Sequence, residues 1–127
     1  MTTTLHHRYL RLPLDADQGF PQAVRISLGG RIYLLSAHVN VTDETLLAQP
    51  KPLALPSPGA FLALAVTTEE AGRTRVLFRR KLVPDLEYQA RELALVFTEL
   101  AVHPLNINGS GAHGSSVVGG VALRWAS

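Results

Sequence analysis

Histidine and serine are the residues with which this chain could do chemistry, because its 127 residues include no cysteine. The absence of cysteine excludes a thiolate nucleophile, a disulfide and a cysteine metal site. The five histidines are His6, His7, His38, His103 and His113. His6 and His7 are adjacent, so on a strand they would point to opposite faces, and no two histidines have the spacing of a helical zinc motif. We therefore expect surface histidines and no metal site.

Serine hydrolysis and phosphate binding each have a sequence motif, and this chain has neither. No serine lies in a GxSxG elbow, and no GxxxxGK[ST] loop occurs. The stretch Gly109-Ser110-Gly111 belongs to a segment rich in glycine, serine and asparagine, Val102–Gly120, which predicts a long flexible loop between strands. Asp85 and Glu87, or Asp15 and Asp17, are candidates for paired carboxylates, but nothing in the sequence fixes the separation of either pair and no aromatic platform for a sugar accompanies them. We expect no enzyme activity and no cofactor.

The composition limits the kinds of partner. Twelve basic and ten acidic side chains give a net charge of +2, too balanced for a nucleic-acid-binding protein. Charged residues make up 17% of the chain and hydrophobic residues 46%, so we expect some apolar surface to contact other subunits. No stretch resembles a signal peptide or reaches the ~18 apolar residues of a membrane span. The sequence therefore predicts a protein made in a cytoplasm, with no membrane partner.

The element around which the chain is organised is a predicted β-hairpin. Its strands are Phe61–Thr67 and Arg73–Val83, joined by a polar connection that ends in Ala71-Gly72. Strict alternation in the second strand places Val76, Phe78 and Leu82 on a core face and four basic side chains on the other face. These are Arg73, Arg75, Arg79 and Lys81. They are candidates for contact with an acidic patch on a neighbour; the alternative is a solvated face that prevents edge-to-edge aggregation.

A second hairpin is predicted at Gln22–Leu28 and Arg31–Val41. Both strands carry β-branched or long apolar side chains, and Gly29-Gly30 between them suits a two-residue turn because both positions can take positive φ. Two further strands, Leu5–Leu14 and Val121–Ala126, are expected near the ends of the chain.

Three connecting segments are less regular. Asp43 or Thr42 could cap a single helical turn within Thr42–Gln49. Four prolines in and beside Lys51–Gly59 predict an extended connection across the domain. The segment Pro84–Leu100 fits a helix and a strand equally well, because Leu86, Ala90, Leu93 and Phe97 have helical spacing while Glu92–Glu99 also alternates. The whole pattern predicts one all-β domain, residues 1–127: a small antiparallel barrel or sandwich built from hairpins, with at most one short helix.

Several of these segments resemble the small plug-like baseplate proteins of contractile phage tails. The matching stretches are Phe20–Tyr33, Phe61–Val66, Arg79–Pro84, Glu92–Phe97 and Gly119–Trp125. In place of the family's Asp-Pro-x-Tyr element, this chain has Asn106-Ile107-Asn108-Gly109-Ser110. The resemblance implies an all-β barrel or sandwich, a strand at Glu92–Phe97, no enzymatic activity, and a role in assembling or sealing the tail end of a phage or tail-like particle.

The resulting functional expectation is a structural virion protein of a phage tail or baseplate. Its partners would be other tail proteins and copies of itself, and it would lie in the tail of the virion. The expected contact residues are Arg73, Arg75, Arg79, Lys81, Asn106, Asn108 and His113. Two alternatives are a β-sandwich module that binds a small molecule or glycan through the Gly/Ser loop, and a capsid decoration protein.

Overall fold

Two antiparallel β-sheets face each other in the computed structural model, which describes residues 8–124. The predictions for His6, His7, Leu5 and Trp125 lie outside the described residues. In chain order the strands are β1 (Leu10–Arg11), β2 (Gln22–Leu28), β3 (Arg31–Val41), β4 (Leu53–Ala54), β5 (Ala60–Glu70), β6 (Arg73–Lys81), β7 (Glu87–Ala90), β8 (Leu93–Val102) and β9 (Ser116–Leu123). One sheet, here the hairpin sheet, has the order β2-β3-β5-β6. In the other, the closing sheet, β9 lies between β1 and β8, and β8 pairs on its far side with β4 and β7.

The two predicted hairpins form the hairpin sheet. β2 and β3 have the predicted bounds and pair without a register shift from Gln22↔Ala37 to Leu28↔Arg31. Gly29 and Gly30 turn the chain with φ of 61° and 79°, a conformation that glycine adopts without strain. The β5–β6 hairpin is longer than predicted at its first strand, and its turn residues Ala71 and Gly72 also have positive φ.

Strands rather than a helix occupy the segment that sequence periodicity left open. After Pro84 the chain forms β7, reverses at Arg91 with a φ of 59°, and returns as β8. Leu93, Leu95 and Phe97 are fully buried, as the strand interpretation requires. The alternation of Glu92–Glu99 therefore predicted the structure correctly. The helical spacing of the apolar residues arises by chance, because both strands of this pair carry buried side chains.

No α-helix occurs in residues 8–124; three short 3-10 helices, Ala16–Gln18, Glu44–Ala48 and Pro104–Asn106, connect strands. Of the two predicted cap residues, Asp43 caps the second helix, and its carboxylate accepts from the backbone N–H of Thr45 at 3.1 Å. The proline-rich connection also contributes β4, which pairs with the end of β8. The core between the sheets contains Tyr33, Leu35, Leu62, Val66, Leu95 and Phe97, all at 2% exposure or less. The sheets do not close into a barrel; the fold is an all-β sandwich.

Candidate interaction surface

A β-bulge in β6 changes which side chains face the core. Val66 pairs with Phe78, but the next residue, Thr67, pairs with Val76, so Leu77 is an extra residue in β6. Because side chains alternate with period two, one extra residue transfers every following side chain to the other face. The prediction that the four basic side chains share one face is therefore wrong. Val76, predicted in the core, is 47% exposed, while Leu77 and Phe78 are both buried.

Arg73 and Arg75 precede the bulge, on the side of β6 that faces the closing sheet. Arg75 contacts Glu92 of the β7–β8 turn, with Nη2 and Oε2 2.8 Å apart. The same Glu92 oxygen accepts from the Tyr33 hydroxyl at 2.9 Å. Arg31 and Glu70 pair at 2.7 Å beside them. The contacts of Glu92 with Arg75 and Tyr33 join the two sheets at one end of the sandwich, so Arg75, predicted as a contact residue, is already bound within the protein.

The pKa shifts in this cluster favour the ion pair. Burial and the hydrogen bond to Glu92 raise the pKa of Tyr33 to about 12, so its hydroxyl keeps its proton. Burial acts to raise the pKa of Glu92, but the hydrogen bonds from Arg75 and Tyr33 outweigh it, and the pKa is lowered overall. A carboxylate that is held ionised and accepts from two donors is a poor general base. The cluster therefore fits a structural role rather than a catalytic one.

Arg79 and Lys81 follow the bulge and lie on the outer side of the hairpin sheet, opposite Ala65 and Ala63 of β5. On the same face, Ile32, Leu34 and Val76 are 62%, 36% and 47% exposed. Together these five residues form what we call the basic–apolar face; Arg25 borders it on β2, opposite Leu34. The Lys81 ammonium lies 5.3 Å from the centre of the Phe61 ring.

A groove of about 600 Å³ crosses this face near the β2–β3 turn. Its lining includes Arg25, Ile32, Leu34 and Thr67, with Glu69 at one end. Glu69 accepts from the Thr74 hydroxyl at 2.6 Å. The groove therefore combines apolar side chains with the cation of Arg25 and the carboxylate of Glu69, and the part beside Arg25 suits an apolar group that carries or neighbours a negative charge.

The outer side of the closing sheet is different, because the chain itself covers part of it. A Cβ atom at Gly120 would lie 2.9 Å from the Cβ of Tyr9, so Tyr9 packs directly over β9. The Tyr9 hydroxyl donates to Glu87 of β7. Burial raises the pKa of Tyr9, and this hydrogen bond raises it further. Ala94 and Val96 beneath are 0% and 7% exposed. Within residues 8–124, the basic–apolar face leaves large apolar side chains exposed, whereas Ala94 and Val96 on the outer side of the closing sheet are covered.

Asn106 makes hydrogen bonds that organise the loop before β9. β8 extends to Val102 and β9 begins at Ser116, so the loop is shorter than the sequence indicated. Asn106 is fully buried. Its Nδ2 donates to the carbonyls of Gly109 and Gly111 at 3.2 and 3.0 Å, and its Oδ1 accepts from the Ser115 hydroxyl at 2.6 Å. Asn106 is therefore not available for the contact predicted for it.

Asn108 is exposed and His113 is half-buried, with its ring 5.4 Å from that of His103. His103 Nδ1 accepts from the backbone N–H of Leu105 at 3.0 Å, and Nε2 lies 3.2 Å from the carbonyl of Pro50. This pattern assigns His103 as the neutral tautomer with the proton on Nε2. Both ring nitrogens are occupied, and residues 8–124 contain no group of three potential metal ligands. Within the same residues, no helix is long and apolar enough to cross a bilayer.

Sequence reasoning missed Arg25, Ile32 and Leu34 as surface residues of interest. The alternation of β3 contains the signal, because it places Ile32 and Leu34 on the face opposite Tyr33 and Leu35. The bulge also had a signal: three consecutive apolar residues, Val76-Leu77-Phe78, interrupt the alternation of β6.

No protein-family model, curated protein or solved structure matches this chain. The fold itself defines a class, the two-sheet antiparallel β-sandwich.

Proposed function

We propose that this protein is a structural subunit of a phage tail or tail-like particle, in or near the baseplate, and that it acts by protein–protein assembly. The observation that carries the proposal is the basic–apolar face. Ile32, Leu34 and Val76 are large apolar side chains left open on one side of the hairpin sheet, and Arg79 and Lys81 lie beside them. The sequence resemblance to plug-like baseplate proteins is the reason for proposing a phage tail or tail-like particle as the assembly that contains it.

The shape and chemistry of this face suit a protein partner. Ala63 and Ala65 on β5 have small side chains, so the outer surface of the sheet forms a shallow depression between the larger side chains of β3 and β6. Protein interfaces typically combine such an apolar centre with a rim that contains arginine. Among the described residues that line the groove, Glu69 is the only acidic one. The surface on the other protein should therefore be apolar at its centre and acidic at its edge.

Mass spectrometry of purified particles tests the role directly. The chain should co-purify with tail-tube and sheath proteins at a fixed stoichiometry, since an assembly subunit occupies a defined number of positions. Its absence from every particle fraction of a producing lysate would overturn the proposal.

A charge-reversal pair tests the face. The double variant Arg79→Glu, Lys81→Glu should enter particles about tenfold less well, because like charges at an interface oppose association. The matched control is Arg11→Glu, Lys51→Glu, which makes the same change in net charge at exposed positions away from the hairpin sheet. Both variants should remain folded by circular dichroism. Equal incorporation of the two variants would remove the basic–apolar face from the proposal.

The groove favours a second candidate, a β-sandwich module that binds a small molecule or glycan. Its site would be the groove beside Arg25 and Leu34, and not the Gly/Ser loop, whose polar groups Asn106 occupies. A ligand that binds only the native state raises the melting temperature. Thermal-shift screening of carboxylated and sulfated glycans would therefore reveal it, and Arg25→Ala should abolish the shift.

A further inference from the structure

The two edges of the hairpin sheet are protected to different degrees. At one edge, β6 has a bulge at Leu77 and five basic side chains in nine residues, both of which discourage pairing with another strand. At the other edge, β2 is seven residues long, has no bulge and no proline, and carries a single charge, Arg25. No strand within residues 8–124 pairs with its open side. β2 is therefore the edge at which another strand can add.

The turn geometry shows which backbone groups of β2 are open. In a two-residue turn the flanking residues, here Leu28 and Arg31, form a hydrogen-bonded pair. Bonded and non-bonded pairs then alternate along an antiparallel ladder. Ala23, Arg25 and Ser27 are in the non-bonded pairs, so their N–H and C=O groups point away from β3. These six groups form a regular row that matches the ladder of an incoming strand.

The side chains of β2 also favour an added strand. Val24, Ile26 and Leu28 face the core but are only half-buried, because nothing in the hairpin sheet lies beyond them. An incoming strand with apolar residues at alternate positions would cover these three side chains and extend the core by one strand. Its other residues would lie on the outer side, in line with Arg25.

Arg25 indicates the chemistry of the partner. It forms no ion pair with another residue in the described part of the chain, whereas Arg31, at the start of β3, pairs with Glu70. β2 contains no acidic residue, so a second copy of β2 could not supply one. We propose that the open edge of β2 accepts an extended segment of a different protein by strand addition, with apolar residues toward the core and a carboxylate beside Arg25. This inference concerns residues outside the Arg79/Lys81 pair and does not depend on the nature of the particle.

Peptide binding followed by NMR tests the proposal. The probe is a capped peptide of alternating valine and threonine with one central glutamate, and the matched probe has lysine in place of the glutamate. The amides of Ala23, Arg25 and Ser27 should shift and exchange more slowly on addition of the glutamate peptide. The glutamate peptide should bind about threefold more tightly than the lysine peptide, as expected of a cross-strand charge pair.

Two variants separate the backbone and charge contributions. Arg25→Glu should reverse the preference between the two peptides without any change in the backbone. Ser27→Pro removes an outward N–H and should abolish binding while leaving the ladder to β3 intact. Lys51→Glu, a charge reversal at an exposed distant site, should bind both peptides as the parent protein does.

Three results would overturn the proposal. One is the absence of any amide shift up to the solubility limit of the peptides. Another is a set of shifts located on β6 instead of β2. The third is concentration-dependent broadening at Ala23, Arg25 and Ser27 without peptide, which would assign the edge to a second copy of this chain. The particle test of Arg79 and Lys81 can succeed or fail independently of all three.

Discussion

Replacing Asn106 with alanine tests whether one buried amide organises the loop before β9. The side chain makes three hydrogen bonds, to the carbonyls of Gly109 and Gly111 and from the Ser115 hydroxyl. A neutral hydrogen bond contributes about 1 kcal/mol net, and a buried group left without its partner costs more. We therefore expect Asn106→Ala to lower the free energy of unfolding by about 3 kcal/mol. For a chain of this size that corresponds to a fall in melting temperature of about 10 °C.

Urea unfolding followed by circular dichroism measures this loss. The matched control is Asn108→Ala, which removes the same side chain two residues away at an exposed position. That variant should change the free energy of unfolding by less than about 0.5 kcal/mol, as is usual for surface positions. If both variants lost the same stability, or neither lost any, the assignment of Asn106 as the internal support of the loop would be refuted.

Asn106→Asp extends the test to pH. The new carboxyl would be buried beside the Gly109 and Gly111 carbonyls, so its pKa would be raised in the folded protein above its unfolded value. A group with a raised folded pKa stabilises most below its unfolded pKa, and that contribution is lost as the pH rises. The variant should therefore be closest to the parent near pH 4 and fall progressively further below it toward pH 7. A difference that stayed constant over this range would contradict the buried placement.

Two further substitutions test contacts inside the sandwich. Glu92→Gln should destabilise the protein at neutral pH and approach the stability of the parent in acid. The reason is that the pKa of Glu92 is lowered in the folded protein, so the stability that its carboxylate contributes is lost as the pH falls through that pKa. Parallel urea titrations at several pH values measure this. Gly119→Ala places a Cβ 2.5 Å from the buried Phe97 ring and should cost about 1–3 kcal/mol by overpacking. Combining it with Phe97→Leu should recover part of the loss, whereas fully additive losses would show that the clash is not the cause.

The parts of the fold that the sequence predicts are those with strong local signals. Gly29-Gly30 and Ala71-Gly72 mark two-residue turns, and the alternation on either side specifies both hairpins. Asp43 similarly marks its helical turn, because a carboxylate that caps the first N–H groups acts over only two residues. The segment Pro84–Leu100 has no such signal. Within it β7 pairs with β8 as a local hairpin, but β8 also pairs along its length with β9, which is distant in the sequence, so periodicity alone could not choose between helix and strand.

Candidate site residues were harder to predict because their positions depend on one inserted residue and one buried amide. Alternation is a reliable guide to a strand's faces only while the register is constant, and Leu77 interrupts it. The bulge allows Leu77 and Phe78 to be buried in succession, and it separates Arg75, which pairs with Glu92, from Arg79 and Lys81 on the outside. The same bulge disrupts the β6 edge, while β2 keeps an unbroken register. A single local irregularity thus determines both which cations are available to a partner and which edge of the sheet remains open.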